Sequence, residues 1–140
     1  DMADSIFTKI EKGEVPGEVL YRDELCFAIL DIAPHRPGHM LVIPREQALR
    51  VYDLPLEHYN HLMDVVRWFA TILEHEFTPK AVSIIMAGLQ LDHAHVHLIP
   101  VEEESDVDSG KGVMIEKSEL ALIAAKLRGA IAQSPFETVQ

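Results

Sequence analysis

The chain has 140 residues, of which 48% are hydrophobic and 25% are charged, and its formal net charge at pH 7 is −11. These values are typical of one globular domain with its own core, and the acidic balance argues against a protein that binds nucleic acid through a basic surface. The single cysteine, Cys26, excludes a disulfide framework and a cysteine-based zinc knuckle.

The apolar residues are spread in short runs along the chain. No run reaches 18 residues, and the first 30 residues lack the pattern of a signal peptide. A lone cysteine fits a reducing compartment. We therefore expect a soluble, cytoplasmic protein with no membrane partner, built as one domain over residues 1–140.

The N-terminal part predicts one short helix and three strands. In "DSIFTKIEKGE" the apolar residues Ile6, Phe7 and Ile10 form a stripe, and Asp4 or Ser5 can cap the helix. Glycine and proline then interrupt regular structure before the first strand. The strands are predicted at Val19–Tyr21, Leu25–Ile32 and His39–Pro44.

The C-terminal part predicts two longer helices and two central strands. Residues 57–75 carry apolar side chains at spacings of three and four, which indicates an amphipathic helix. Short strands joined by loops, together with these helices, favour an α+β fold with an antiparallel sheet. The remaining predicted segments are strands at 81–88 and 93–100, which complete a core of about 5–101, an acidic and mobile loop at 102–116, and a helix at 117–133.

The run "HAHVH" places a histidine on every second residue. In a strand, His93, His95 and His97 would share one face at intervals of about 6.6 Å. A lone histidine is usually structural, but three in a row are costly to desolvate unless something binds there. The spacing therefore predicts a site for a metal ion or for a phosphate.

Neither alternative is excluded by spacing alone. Neighbouring imidazoles can bind one metal ion, but the outer two would lie about 13 Å apart, so His35, His39 or a carboxylate would have to complete the site. Alternatively, the middle imidazole attacks phosphorus while its neighbours donate hydrogen bonds to phosphate oxygens. His58 and His61, three residues apart in the long helix, are better explained as a solvated face.

Three segments resemble one known family. "HAHVHLI" matches an alternating histidine signature followed by two apolar residues, "SIFTKIEKGEVP" resembles the family's N-terminal segment, and "FAILDIAPHRPGHMLVIPRE" resembles its central block. Over about Ser5 to Val101 the chain is thus similar to the histidine triad (HIT) superfamily, and most to its Hint-like branch. The resemblance implies a five-stranded antiparallel sheet with two main helices, and a homodimer in which the sheet extends to ten strands.

The resemblance also implies roles for individual residues. His95 would attack the α-phosphate of a nucleoside 5′-phosphate derivative, and His93 and His97 would flank it. Asp31 would accept hydrogen bonds from the ribose hydroxyls, and His39 would lie near the active site. The apolar residues implied to sandwich the base, for which core packing is an equally good explanation, are Ile6, Phe7, Ile10, Ile29, Ile32 and Leu41.

The sequence departs from the family pattern in two places. Many relatives have two cysteines and a histidine as zinc ligands where this chain has Ser5, Thr8 and Gln47, so we predict no structural zinc and no cofactor. The approach to the triad reads "GLQLDHAH", in which Leu89 replaces the usual glutamine. Gln90, or a backbone N–H near Gly88, could supply the missing contact to phosphate.

The predicted function is hydrolysis of a nucleotide at its α-phosphate through a nucleotidyl-histidine intermediate. An AMP-type purine nucleotide is the expected substrate, and purine nucleoside phosphoramidase is the simplest activity. Three alternatives stay open: a dinucleoside polyphosphate hydrolase, a nucleotide-binding regulatory protein with little turnover, and a metal-dependent protein built on the three histidines.

Overall fold

A computed structural model describes residues 3–137, so the outermost residues of the predicted domain, 1–2 and 138–140, lie outside the described part. As predicted, the chain forms an α+β fold around a five-stranded antiparallel sheet. The strand order is β1-β2-β3-β5-β4. Short 3-10 turns lie at Val51–Asp53 and Glu104–Val107. The helices and strands are α1 (Ile6–Glu11), β1 (Val19–Arg22), β2 (Cys26–Leu30), β3 (Met40–Pro44), α2 (Leu56–Phe77), β4 (Ala81–Ile85), β5 (Val96–Val101) and α3 (Lys117–Gln133).

The sheet separates two hydrophobic cores. Successive side chains of a strand point to opposite faces, so Ala28 belongs to the larger core and Ile29 to the smaller one. The larger core packs the sheet against α2 and α3, and the smaller core lies on the face that carries Phe7 of α1. Every residue of β2 and β3 is buried, which explains why these strands read as continuous apolar runs.

The long helix α2 follows its predicted pattern. It was expected at 57–75 and spans Leu56–Phe77. Its apolar residues recur at helical spacing, so they form one stripe against the sheet. The buried side chains of this stripe are Leu62, Val65, Val66, Phe69, Ile72 and Leu73.

The strand register places the histidine-bearing strand in the middle of the sheet. Ile29 pairs with Leu41, Leu41 with His97, and His97 with Ile85. Directly paired residues project from the same face of a sheet, so this row carries His97 on the face of the smaller core. A rigid row of four paired strands therefore fixes the position of His97.

Two strand boundaries were predicted wrongly by three residues, and the others differ by at most two. β5 begins at Val96 and not at His93, so only His97 of the three histidines lies in a strand. The reason is that the N–H of Ala94 donates to the carbonyl of Ala48, in a loop, instead of to a strand. β4 ends at Ile85 and not at Gly88, whose φ of 71° is incompatible with a regular strand.

The acidic segment 102–116, expected as a mobile loop, packs against the rest of the chain. Asp106 is only 2% exposed, and its carboxylate accepts hydrogen bonds from the N–H groups of Glu102 and Glu103. Backbone hydrogen bonds also join Val113 to Pro34 and Ile115 to Ile32. Among residues 3–137, no helix combines the length and apolar composition that crossing a bilayer requires.

Candidate active site

His95 is oriented by the main chain of His93, which lies three residues before β5. Its Nδ1 lies 2.8 Å from the carbonyl oxygen of His93. A carbonyl oxygen can only accept, so Nδ1 carries the proton, and in the neutral ring Nε2 holds a free lone pair. The ring of Phe7 meets that of His95 edge-on, with 5.0 Å between centroids. The result is an imidazole held in the form that a nucleophile needs.

A chain of hydrogen bonds fixes the proton of His97. The backbone N–H of His35 donates to Nδ1 of His39 over 3.0 Å, and Nε2 of His39 lies 2.9 Å from Nδ1 of His97. Burial lowers the pKa of His39 to about 3 and that of His97 to about 4, so both rings are neutral at pH 7. His39 therefore donates to His97, and the proton of His97 stays on Nε2 as a hydrogen-bond donor.

Asp31 follows β2 directly and lies beside this chain of histidines. One of its oxygens accepts from the N–H of Ala33, and the other lies 3.5 Å from Nε2 of His39. Burial is the main cause that raises the pKa of Asp31 above its ordinary value. Its carboxylate borders the same cleft as His95 and His97.

His93 points away from the cleft and into a cluster of polar side chains. Its ring is fully buried, with Nε2 at 2.7 Å from the carbonyl oxygen of Pro44 and Nδ1 at 2.6 Å from Oγ of Ser5. Gln47 accepts through Oε1 from the N–H of Ser5 and from the hydroxyl of Thr8. Ser5, Thr8 and Gln47 stand where many relatives are implied to have zinc ligands. Here they are joined to His93, directly or through one another, by hydrogen bonds.

This cluster does not fit a zinc ion. Zinc in proteins is held by thiolate, imidazole or carboxylate groups, and the side chains here are two hydroxyls, one amide and one imidazole. His93 is the one usual zinc ligand among them, and both of its ring nitrogens are occupied.

Two other groups bring possible metal ligands together within the described residues. Asp31, His39 and His97 have ligand atoms within 4.8 Å of one another, but the hydrogen bond between the two histidines occupies the nitrogens that would face an ion. Asp23, Cys26 and His61 form the other group, on the side of the larger core.

The second group is explained by hydrogen bonds. Asp23 accepts from His61, from the hydroxyl of Tyr21 and from two backbone N–H groups. Burial is the main cause that raises the pKa of the Cys26 thiol far above its ordinary value, so the thiol is protonated. His61, expected on a solvated face, instead ties α2 to the turn between β1 and β2.

The predicted base-sandwiching residues divide into two sets. The first set is packed in the smaller core. The second set comprises Ile6, which is 42% exposed, and Ile32, which is 46% exposed. These two side chains are not enclosed in a core, so they are available to contact a ligand. The first set comprises Phe7, Ile29 and Leu41, with Ile10 packed against it.

The cleft in front of His95 has a volume of about 430 Å³. Gly88 and Gln90, the two predicted substitutes for a phosphate contact, both line it. None of the lining side chains that the structure describes is a lysine or an arginine. The remaining walls are formed by Ile85 and Ile99 of the sheet and by Val107, Ser109, Gly110 and Gly112 of the acidic segment.

The sequence reasoning missed two contributors to this site. His35 was considered as a possible metal ligand, but it supports His39 through its N–H, and its Nδ1 lies 2.7 Å from the carbonyl oxygen of Asp106. Residues 107–112 belong to the segment that was predicted to be an acidic, mobile loop. The two histidines of "HRPGH" were a signal that could have identified His35. The acidic composition of residues 107–112 gave no indication that they border the cleft.

Comparison with known protein families gives one match of large extent. The sequence pattern of the HIT domain matches residues 12–104. The purine nucleoside phosphoramidase of Escherichia coli K12 is 33% identical over 102 residues, which cover 69% of this chain and 86% of that protein. The matched range includes the segment that carries the three histidines.

Solved structures share the fold. A histidine triad nucleotide-binding protein from Sulfolobus tokodaii superposes with a TM-score of 0.81 at 27% identity, covering 92% of this chain and 93% of that one. A Zn-bound histidine triad protein from Mycobacterium smegmatis superposes with a TM-score of 0.75 at 27% identity, covering 91% and 93%. That protein is described with zinc, whereas the cluster around Ser5 is built from hydrogen bonds.

Proposed function

This chain belongs to the HIT domain family, and from that premise we propose that it hydrolyses nucleotides at the α-phosphate through His95. The observation that carries the proposal is the 2.8 Å hydrogen bond from Nδ1 of His95 to the carbonyl of His93. It leaves Nε2 unprotonated and next to the cleft. In this position the ring is suited to attack phosphorus and to form a nucleotidyl-histidine.

The remaining groups are suited to hold the substrate. Nε2–H of His97 donates to a phosphate oxygen, and the neutral state of that ring makes it a hydrogen-bond donor but a poor acid. Asp31 accepts from the ribose hydroxyls, and Ile6 and Ile32 cover the faces of the base. Gly88 and Gln90 border the position expected for the phosphate. His93 holds the main chain that orients His95.

The reaction proceeds in two displacements. Nε2 of His95 forms a bond to phosphorus as the bond to the leaving amine breaks, and the amine takes up a proton from solvent. Water then attacks the same phosphorus, the bond from phosphorus to Nε2 breaks, and the water gives up a proton to solvent, so that the nucleoside monophosphate is released and the imidazole is neutral again. None of these steps requires a metal ion, because positioning and hydrogen bonding supply the stabilisation.

The charge of the cleft favours a phosphoramidate over a dinucleoside polyphosphate. A polyphosphate chain carries several negative charges, which proteins usually match with lysine or arginine. The described lining of this cleft offers neither and includes the carboxylate of Asp31, and one arginine, Arg50, lines the adjoining pocket beside His95 and Gly88. A nucleoside phosphoramidate carries a single phosphorus and a leaving group that departs as an amine. We therefore assign purine nucleoside phosphoramidase as the activity.

Turnover of two substrates tests this assignment. Adenosine 5′-phosphoramidate and a diadenosine polyphosphate are compared with the wild type and His95→Ala, each with and without EDTA. We expect EDTA-insensitive release of AMP from the phosphoramidate, slower release from the polyphosphate, and loss of both in the variant. Binding of AMP without turnover of either substrate would instead support a regulatory protein, and faster polyphosphate cleavage would reverse the substrate assignment.

We also propose that the protein is a homodimer joined through β4. This strand is at the edge of the sheet, so one row of its backbone N–H and C=O groups has no partner within the described chain. Ile84 of β4 is 43% exposed. Antiparallel pairing of two β4 strands would satisfy both edges and produce the ten-stranded sheet that the family resemblance implies.

A further inference from the structure

We propose that Ser5, Thr8 and Gln47 form a positioning cluster that holds His93 and, through its main chain, the nucleophilic tautomer of His95. We call these three residues the Ser5 cluster. The inference rests on the proposed function, since it assigns residues that keep the nucleophile of that reaction in place. The side chains at these positions do not fit a zinc ion. In this chain, hydrogen bonds hold His93 in place instead.

The first step is the proton of His93. Burial is the main cause that lowers the pKa of this ring, so it is neutral at pH 7. The carbonyl of Pro44 can only accept, and therefore the single N–H is on Nε2. Nδ1 must then accept a hydrogen bond, and the hydroxyl of Ser5 lies 2.6 Å away. The Ser5 hydroxyl thus determines whether both ring nitrogens are satisfied.

The second step is the orientation of the Ser5 hydroxyl. Ser5 is the N-cap of α1, and its Oγ accepts from the N–H of Thr8 over 3.1 Å. The N–H of Ser5 donates over 2.7 Å to Oε1 of Gln47, which also accepts from the hydroxyl of Thr8. Nε2 of Gln47 donates to the carbonyl of Ala3. The Ser5 hydroxyl then has two acceptors within reach, Oγ1 of Thr8 at 3.3 Å and Nδ1 of His93 at 2.6 Å, and the contact with His93 is the shorter one.

The third step connects the Ser5 cluster to the nucleophile by two routes. The carbonyl of His93 accepts the Nδ1–H of His95, so a displaced His93 removes the group that fixes this tautomer. Phe7 follows in the same short helix and meets the rings of His93 and His95 at 5.8 and 5.0 Å between centroids. Loss of the Ser5 anchor would loosen both supports.

The test compares substitutions that separate the hydroxyl from general damage. Ser5→Ala removes the donor, Ser5→Thr keeps both a hydroxyl and a helix cap, and Ser118→Ala is a matched loss of an exposed serine in α3. We expect kcat on adenosine 5′-phosphoramidate to fall about tenfold in Ser5→Ala, with KM changed less than about twofold. Ser5→Thr and Ser118→Ala should stay near wild type. All assays are run where thermal unfolding shows each variant folded.

A second readout does not depend on turnover. Long-range ¹H–¹⁵N spectra report which ring nitrogen carries the proton. We expect His95 protonated on Nδ1 and His93 on Nε2 in the wild type and in Ser5→Thr, and a mixture of His95 tautomers in Ser5→Ala.

The two proposals fail separately. If the folded Ser5→Ala variant keeps both the wild-type kcat and the single His95 tautomer, the Ser5 cluster has no positioning role. If the wild type releases no AMP, the proposed function fails, and the ring spectra still decide whether Ser5 controls His95.

Discussion

At the level of single residues, three histidines of the site are each fixed by a backbone group that can only donate or only accept, and His97 is fixed in turn by one of them, His39. The carbonyl groups of Pro44 and His93 accept from His93 and His95, and the N–H of His35 donates to His39. Proton positions therefore follow from the main chain. Sequence could place the histidines near one another, but it could not show which nitrogen of each ring is protonated, because that depends on the folded geometry even where the partner is only two or four residues away.

The hydrogen bond from His39 to His97 can be tested with two substitutions of different chemistry. His39→Leu fills a similar volume without a donor, whereas His39→Gln keeps an N–H that can reach His97. We expect kcat to fall about tenfold or more in His39→Leu and to be partly retained in His39→Gln, because only the former leaves Nδ1 of His97 without a donor. His75→Ala, an exposed histidine of α2, serves as the control. Equal activity in the leucine and glutamine variants would show that the hydrogen bond from His39 to His97 does not contribute to catalysis.

The burial of His39 and His97 makes the free energy of unfolding depend on pH. His39 and His97 have folded-state pKa values of about 3 and about 4, below the ordinary 6.5. Unfolding therefore takes up protons at pH values between each folded-state pKa and 6.5. The free energy of unfolding should therefore fall as pH drops from 6.5 to 5, by up to about 1.4 kcal/mol per pH unit for each histidine. Asp31, with a raised pKa, acts in the opposite direction at lower pH.

Urea unfolding of the wild type and His39→Leu at several pH values measures this dependence. The leucine variant should show a shallower slope, since one proton fewer is taken up on unfolding. A slope that is the same in both proteins would mean that His39 does not contribute to the pH dependence.

At the level of elements, the structure separates what periodicity could predict from what it could not. α2 was predicted to within two residues because its apolar stripe is a local property of the sequence. The start of β5 was wrong because it depends on Ala94 bonding to Ala48, a contact that no local pattern contains. The wall formed by the acidic segment was missed for a similar reason: its contacts with residues 32–35 are distant along the chain.

Gly112 has no Cβ, which lets residues 107–112 lie close to Ala33 and border the cleft. A Cβ at this position would lie 2.3 Å from the carbonyl oxygen of Ala33, a backbone atom that cannot move aside cheaply. We expect Gly112→Ala to raise KM several-fold and to destabilise the fold by about 1–3 kcal/mol, because the segment must shift away from the cleft.

Gly129→Ala provides the matched glycine substitution. A Cβ there meets nothing within 4 Å, and the residue lies in α3, so this change should stabilise the fold by up to about 1 kcal/mol and leave KM unchanged. Thermal unfolding and steady-state kinetics measure both variants. An unchanged KM in Gly112→Ala would show that the segment does not shape the substrate cleft.

At the level of the whole molecule, the unpaired edge of β4 predicts association. Sedimentation should give about twice the chain mass of 15.7 kDa, because pairing of two edges satisfies the free backbone groups. Ile84→Lys should shift the protein towards monomer, since a lysine at an edge opposes strand pairing. Lys80→Ala, just before the strand, is a control with a smaller expected effect. A wild-type monomer at high concentration would contradict the dimer.

Capture of the covalent intermediate tests the role of His95 most directly. Wild type and His95→Ala are mixed with adenosine 5′-phosphoramidate, quenched within milliseconds to seconds, and measured by intact-protein and peptide mass spectrometry under conditions that preserve phosphoramidate bonds. We expect one adenylyl group per chain, on the peptide that contains His95, and none in the variant. An adduct on another residue, or AMP release by His95→Ala at the wild-type rate, would show that His95 is not the nucleophile.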